Sequence, residues 1–128
     1  MPVFFVCAGL LGLLAVALTV NVGLMRGRKH ISLGDGGDAQ MQAAVRAQGN
    51  LMELAPITLL MIYMAGDFHG FSIVATLSVV LLVSRVLHAG GMLGLIPRGR
   101  LLGTLGSTAV LGIASILLAI AGLGLRQY

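Results

Sequence analysis

From Val3 to Met25 the chain carries no charged residue. About 20 such residues cross a hydrocarbon core of about 30 Å as a helix, and in lipid every backbone N–H and C=O must be paired within the protein. The run is too long for the apolar region of a cleaved signal peptide and lacks its basic start, so it reads as a first transmembrane helix. Three further apolar stretches follow, and spans are expected at about 3–25, 39–65, 71–89 and 101–125. Segments of about ten residues with alternating polarity, the mark of barrel strands, are not seen. The expected fold is an all-α integral membrane protein, a four-transmembrane-helix bundle running up-down-up-down, with residues 1–128 forming a single membrane domain.

Charge supports that reading. Only 9% of residues are charged, 58% are hydrophobic and the mean hydropathy is +1.03, whereas roughly 25% charged is usual in a soluble domain. The net charge of +4 does not point to nucleic acid, because the basic residues sit at the ends of apolar runs, where they set membrane orientation. Cys7 is the only cysteine, which excludes a disulfide framework and a thiolate metal site. His30, His69 and His88 lack metal-ligand spacing, and no metal is expected.

Along the chain, Arg26, Arg28, Lys29 and His30 close helix one, and Gly34, Asp35, Gly36, Gly37 and Asp38 form a turn in which either aspartate could cap helix two. Helix two is predicted to be roughly 40 Å long at 1.5 Å per residue, so its polar first turns reach the headgroups. Pro56 removes a backbone hydrogen bond and predicts a kink beside Glu53. Gly66, Asp67, Phe68, His69 and Gly70 read as a short link, and Gly90, Gly91, Gly94, Pro97 and Gly99 as the break before helix four. Small residues recur on helix one at Ala8, Gly12, Ala15 and Thr19, and on helix four at Gly112, Ser115, Ala119 and Gly122, spacings that admit close helix packing. The first link has Arg26, Arg28 and Lys29, the third has Arg98 and Arg100, and the second has only Asp67 and His69. The positive-inside rule then puts both termini outside and gathers the start of helix two, the end of helix three and the start of helix four at the cytoplasmic face.

That convergence brings charges together. Arg46, Asn50 and Glu53 share one face of helix two, and Arg85 and His88, spaced i, i+3, share one face of helix three at similar depth. An ionisable group within a membrane costs a few kcal/mol or more, so each should face protein or a ligand. Glu53 is the only acid within a span, which makes Arg85 its expected partner. One reading is a buried network of Glu53, Arg85 and Asn50 that fixes helix register. It leaves Arg46, His88 and Arg100 without an acid, and Arg100 opposes the dipole at the start of helix four, an excess of positive charge that favours an anionic ligand. Arg98 and Arg100 also read as headgroup anchors. Met41, Met52, Met61, Met64 and Met92 are expected to be packing residues. Tyr63 and Tyr128 lie away from the cluster.

These residues resemble those of the membrane-associated proteins in eicosanoid and glutathione metabolism, the MAPEG family, and its small bacterial members in particular. The resemblance covers nearly the whole chain and rests on four spans, on Arg46, Asn50 and Glu53 followed by Pro56, on Arg85, Val86, Leu87 and His88, and on a basic residue opening helix four. It implies a homotrimer in the bacterial inner membrane, with glutathione as co-substrate between subunits near the cytoplasmic face and a lipophilic electrophile or peroxide arriving from the lipid bilayer. By the same resemblance Arg46, Asn50 and Glu53 would hold glutathione, Arg85 and His88 would line the pocket, and Arg100 would stabilise the thiolate. The chain departs from catalytic members at Met92 and Thr104, where tyrosines are usual, and at Leu54, where an aromatic often follows the glutamate; Thr104 or Ser107 could offer a hydroxyl. Two functions are therefore carried forward: a membrane glutathione transferase or peroxidase, and a non-catalytic protein that binds a lipid or amphiphile in the same crevice. A small multidrug transporter, the third four-span class, resembles this chain less, because helix one lacks the glutamate such proteins place there.

Overall fold

The computed structural model describes residues 1–124, so Tyr128 and the expected last residue of helix four, Leu125, lie outside the described residues. Four helices, α1 (Pro2–Lys29), α2 (Ala39–His69), α3 (Phe71–Met92) and α4 (Gly99–Gly122), account for the architecture. Each is long and apolar enough to cross a membrane, and there is no strand among the described residues. The central pair is α2 and α3, flanked by α1, which packs on both, and by α4, which also packs on both.

The core is a small-residue seam. Ala44, Ala47, Leu51, Ala55, Thr58 and Ile62 recur at three- and four-residue steps along α2 and face Val74, Leu77, Ser78 and Leu81 of α3. Phe4, Leu11 and Leu18 of α1 and Val110 and Ala114 of α4 close the cluster. Large apolar side chains such as Phe5, Leu13, Val83, Leu105 and Ile116 point outward, as a lipid-facing surface requires. Of the methionines expected to be packing residues, Met41 is fully buried and Met61 accepts a hydrogen bond from Ser115 Oγ at 3.2 Å, whereas Met52 and Met64 are half exposed within the protomer.

Two glycine assignments are also corrected. Gly66 does not end α2, which continues to His69, and the link shrinks to Gly70 with φ 84°. A Cβ on Gly66 would stand 2.9 Å from Val74 Cγ2 and 3.2 Å from Met1 Cε, so this glycine is a packing position that lets α2, α3 and the start of α1 converge. Gly90 and Gly91 likewise remain inside α3. A Cβ on Gly91 would collide with the backbone of Gly99 and Arg100, and one on Gly103 with Ser84 O and with His88. The tight approach of α3 and α4 therefore runs through Gly91, Gly99, Gly103 and Gly106, while Gly12 and Gly112 have nothing within 4 Å inside the protomer. Of the stripe foreseen on helix four, Ser115 reaches Met61 of α2, while Gly112, Ala119 and Gly122 are exposed.

One end of the bundle is tied by polar contacts. His30, in the left-handed region with φ 54°, caps α1 through its N–H to Arg26 O, and three basic residues in the last turn suit the helix dipole. Asp38 caps α2, accepting from Met41 N at 2.8 Å, and binds Lys29 Nζ at 2.9 Å, so a single carboxylate starts α2 and latches it to the end of α1. Arg26 Nη1 holds Gly34 O at 2.8 Å across the same turn. The Lys29 hydrogen bond, then the bond from Met41 N–H, hold the Asp38 carboxyl below its ordinary value. A depressed carboxylate contributes stability above its unfolded pKa of about 3.9 and loses it as pH falls through the folded value. Acidification below about pH 4 should thus loosen the α1–α2 turn, read as faster amide exchange at residues 31–41. In Asp38→Asn, which keeps a cap but not the charge, that pH dependence should disappear.

Candidate functional site

The latched end gathers the end of α1, the start of α2, the end of α3 and the start of α4. At the other end Met1 approaches Gly66, and the His69 ring, foreseen in a loop, sits in the last turn of α2 against Leu117 O at 2.9 Å.

About two turns below the end of α3, Arg85 is 1% exposed. Its Nη2 donates to Asn50 Oδ1 at 2.7 Å, and its Nη1 donates to Ser107 Oγ at 3.4 Å, while Ser107 Oγ donates onward to Gly103 O at 2.7 Å. One guanidinium thereby joins α2, α3 and α4. Nη2 also lies 3.3 Å from His88 Nδ1. A guanidinium has only donors, so this contact needs Nδ1 as acceptor and leaves the ring proton on Nε2. Buried Nε has no hydrogen-bond partner, and among the described residues Arg85 has no carboxylate partner.

Glu53 is not that partner. It pairs with Arg46 of the same helix, Nη1 to Oε1 at 3.4 Å, over the space left by Gly49, and both side chains are more than half exposed at 63% and 52%. On a helix Arg46 and Glu53 stand two turns apart on the outer edge of the stripe, while Asn50 lies closer to the buried Ala47 and Leu51 and so meets α3. An exposed pair of this kind is worth about 0–1 kcal/mol, so either partner can turn to a ligand at small cost.

Arg100 is exposed in the first turn of α4, behind Arg98, whose φ of 57° starts the helix from the left-handed region. His88 feels the charges of Arg85, Arg100 and Arg46 together. The six residues singled out in the sequence thus form a buried pair, Arg85 and His88, the half-buried Asn50 beside it, and an exposed rim, Arg46, Glu53 and Arg100. Thr104 Oγ1 is exposed and bonded to Arg100 O at 2.7 Å, whereas Ser107 is fully buried against Arg85. Ser84 was overlooked in the sequence: it is buried where Gly103 and Gly106 press on α3, and its only signal is its place one residue before Arg85.

Two clefts open beside this cluster, and none of the six residues lines either. A space of about 740 Å³ lies between Asn21, Met25, Arg28 and Lys29 of α1, Ala39, Gln40 and Ala43 of α2, and the turn at Met92 to Leu95. A second, of about 350 Å³, adjoins it between α1 and α3 and shares Asn21, Leu93 and Leu95 with it.

The chain is similar to the inner membrane protein YecN of Escherichia coli K12, 33% identical over 85 residues that cover 66% of this chain and 65% of YecN. The YecN of Escherichia coli O6:H1 matches to the same extent. The match thus spans a little under two thirds of the relatives' own length. Residues 4–120, which include all six candidate residues, match the family model described as the MAPEG family. With nearly the full bundle matched, the chain belongs to the MAPEG family.

Proposed function

We propose that this protein is a membrane-bound glutathione transferase or glutathione-dependent peroxidase acting on lipophilic electrophiles or hydroperoxides. The observation that carries this reading is the buried Arg85 guanidinium, which among the described residues has only neutral partners and an unpaired Nε. A buried cation without a counter-charge is costly, and an anionic ligand offsets that cost. Glutathione brings two carboxylates and one ammonium, which suits a site with three arginines and one exposed glutamate. In this proposal Arg46 and Asn50 bind its carboxylate and amide groups, Glu53 binds its ammonium, Arg85 and His88 line the pocket, and Arg100 faces the sulfur. A free thiol has a pKa of about 8.5, and a nearby guanidinium favours the thiolate. That thiolate attacks the electrophile, forming a C–S bond while the departing or ring-opened oxygen takes a proton. With a hydroperoxide, two thiols yield a disulfide, an alcohol and water.

The proposal extends to a homotrimer in the bacterial inner membrane, the location stated in the relatives' name, with both termini outside and the arginine-rich end in the cytoplasm. An assembly fits the exposure of Arg46, Glu53 and Arg100, which a neighbouring subunit would cover. The second reading, a non-catalytic protein that binds a lipid or amphiphile in the same place, is favoured by Met92 and by Thr104, whose hydroxyl is already engaged with Arg100 O.

Purified protein in detergent should bind glutathione by calorimetry, and its absence removes the first reading. Arg100→Ala should lower glutathione-dependent turnover of a generic electrophile by roughly 10²-fold, the loss that follows removal of one donor at a developing anion, while glutathione still binds. No turnover in the unmodified protein together with tight glutathione or amphiphile binding would favour the second reading.

A further inference from the structure

We infer that the cleft between α1, α2 and the α3–α4 turn is a binding site for one anionic glycerophospholipid of the surrounding bilayer, with its phosphate at Arg28 and Lys29 and one acyl chain in the groove between α1 and α3. The site is separate from the Arg85 cluster, with which it shares no lining residue.

Its two halves differ in the way the two ends of a lipid differ. The upper half, about 740 Å³, has the polar side chains of Arg28, Lys29 and Gln40 in its lining. The lower half, about 350 Å³, is formed by Leu14, Ala17, Leu18, Val86, Ala89 and Ile96 among others. The volumes fall in the range of small-molecule sites, about 300–1,000 Å³. Asn21, Leu93 and Leu95 line both halves, so the two adjoin. Asn21 is the polar residue they share, and among the described residues its amide has only the weak acceptor Met25 Sδ at 3.8 Å, which leaves it able to serve the ester groups between phosphate and chain. Leu95 stands 76% exposed over the junction, an apolar side chain placed to lie against an acyl chain. Beneath, Ile96 packs on Gly90 and floors the groove.

Length agrees with this occupant. From Arg28 to Leu14 is about 21 Å at 1.5 Å per residue, which matches a headgroup plus one leaflet of a core about 30 Å thick. Charge selects the anionic headgroup: Lys29 is shared with Asp38, but among the described residues Arg28 has no acidic partner. A basic residue at this level attracts anionic lipid directly.

The test is native mass spectrometry of the full chain in mild detergent, titrated with dioleoyl phosphatidylglycerol or dioleoyl phosphatidylcholine. One phosphatidylglycerol per chain should be retained, with an affinity roughly 10-fold above that for phosphatidylcholine. Arg28→Glu should erase that preference. Ala17→Trp, at an exposed position in the groove, should weaken retention of both lipids by roughly 10-fold; circular dichroism checks that both variants keep their helices. Equal retention of the two lipids by the unmodified protein, or unchanged retention in Ala17→Trp, would overturn the site. Because the readout is lipid mass and contains no glutathione, failure here is distinct from failure of the catalytic proposal.

Discussion

Gly103→Ala is expected to be strongly damaging, as one of the methyl additions that the α3–α4 seam has no room for. The new Cβ would stand 2.5 Å from His88 N and Cβ and closer still to Ser84 O. Two of those contacts are backbone atoms of α3, which cannot rotate away, so the helices must separate. Overpacking costs typically 1–3 kcal/mol and occasionally more, and separation would also pull Ser107 from Arg85. The gain in helix propensity, about 1 kcal/mol for Gly→Ala, offsets only part of this. Gly112→Ala supplies the control: nothing lies within 4 Å of its Cβ position in the protomer, so the same propensity gain should appear uncancelled. Thermal unfolding in detergent followed by circular dichroism should lower the midpoint for Gly103→Ala and hold or raise it for Gly112→Ala. Equal midpoints would mean that the α3–α4 seam is looser than described.

The contrast between these two glycines explains what the sequence conveys. Hydropathy over about 20 residues places all four spans, because the bilayer imposes one length on each of them. It does not say what a glycine is for. In a soluble helix Gly66, Gly90 and Gly91 would be read as breakers, and that reading ended α2 and α3 too early; in a bundle they are positions of close approach. Spacing alone cannot separate these from Gly12 or Gly112, since all recur at three or four residues and only the rotation of each helix decides which face is buried.

Rotation also decided the charges. The stripe of Arg46, Asn50 and Glu53 was legible from i, i+4 and i+7, as was the i, i+3 pair of Arg85 and His88. Their partners were not. Complementary charge favoured Glu53 with Arg85, yet Asn50 stands nearer the α3 side, and the long Arg46 side chain reaches Glu53 along its own helix. Ser107, named in the sequence for a possible hydroxyl role, is instead the α4 contact of Arg85, a role that depends on Gly103 bringing the two helices together.

Arg85→Met separates the two meanings of this cluster more sharply than any change at the rim. Methionine approximates the arginine stem, removes the buried charge and its unpaired Nε, and leaves Ser107 bonded to Gly103 O. Exchange of a buried charged group for a well-packed apolar one is often neutral or stabilising, so thermal unfolding should be unchanged or shifted upward. Asn50→Leu should do the opposite: it strips the guanidinium of its shortest hydrogen bond, 2.7 Å, and leaves the charge in place. Loss of a partner to a buried charged group costs about 1.5–3 kcal/mol or more. For binding the proposal expects both to fail together. A charge-assisted bond of the same about 1.5–3 kcal/mol corresponds to a glutathione affinity roughly 10- to 100-fold weaker in Arg85→Met by calorimetry. If Arg85→Met kept full glutathione affinity and lost stability, Arg85 would be a structural bolt between α2, α3 and α4, and the anion it is proposed to await would have to be sought on the exposed rim.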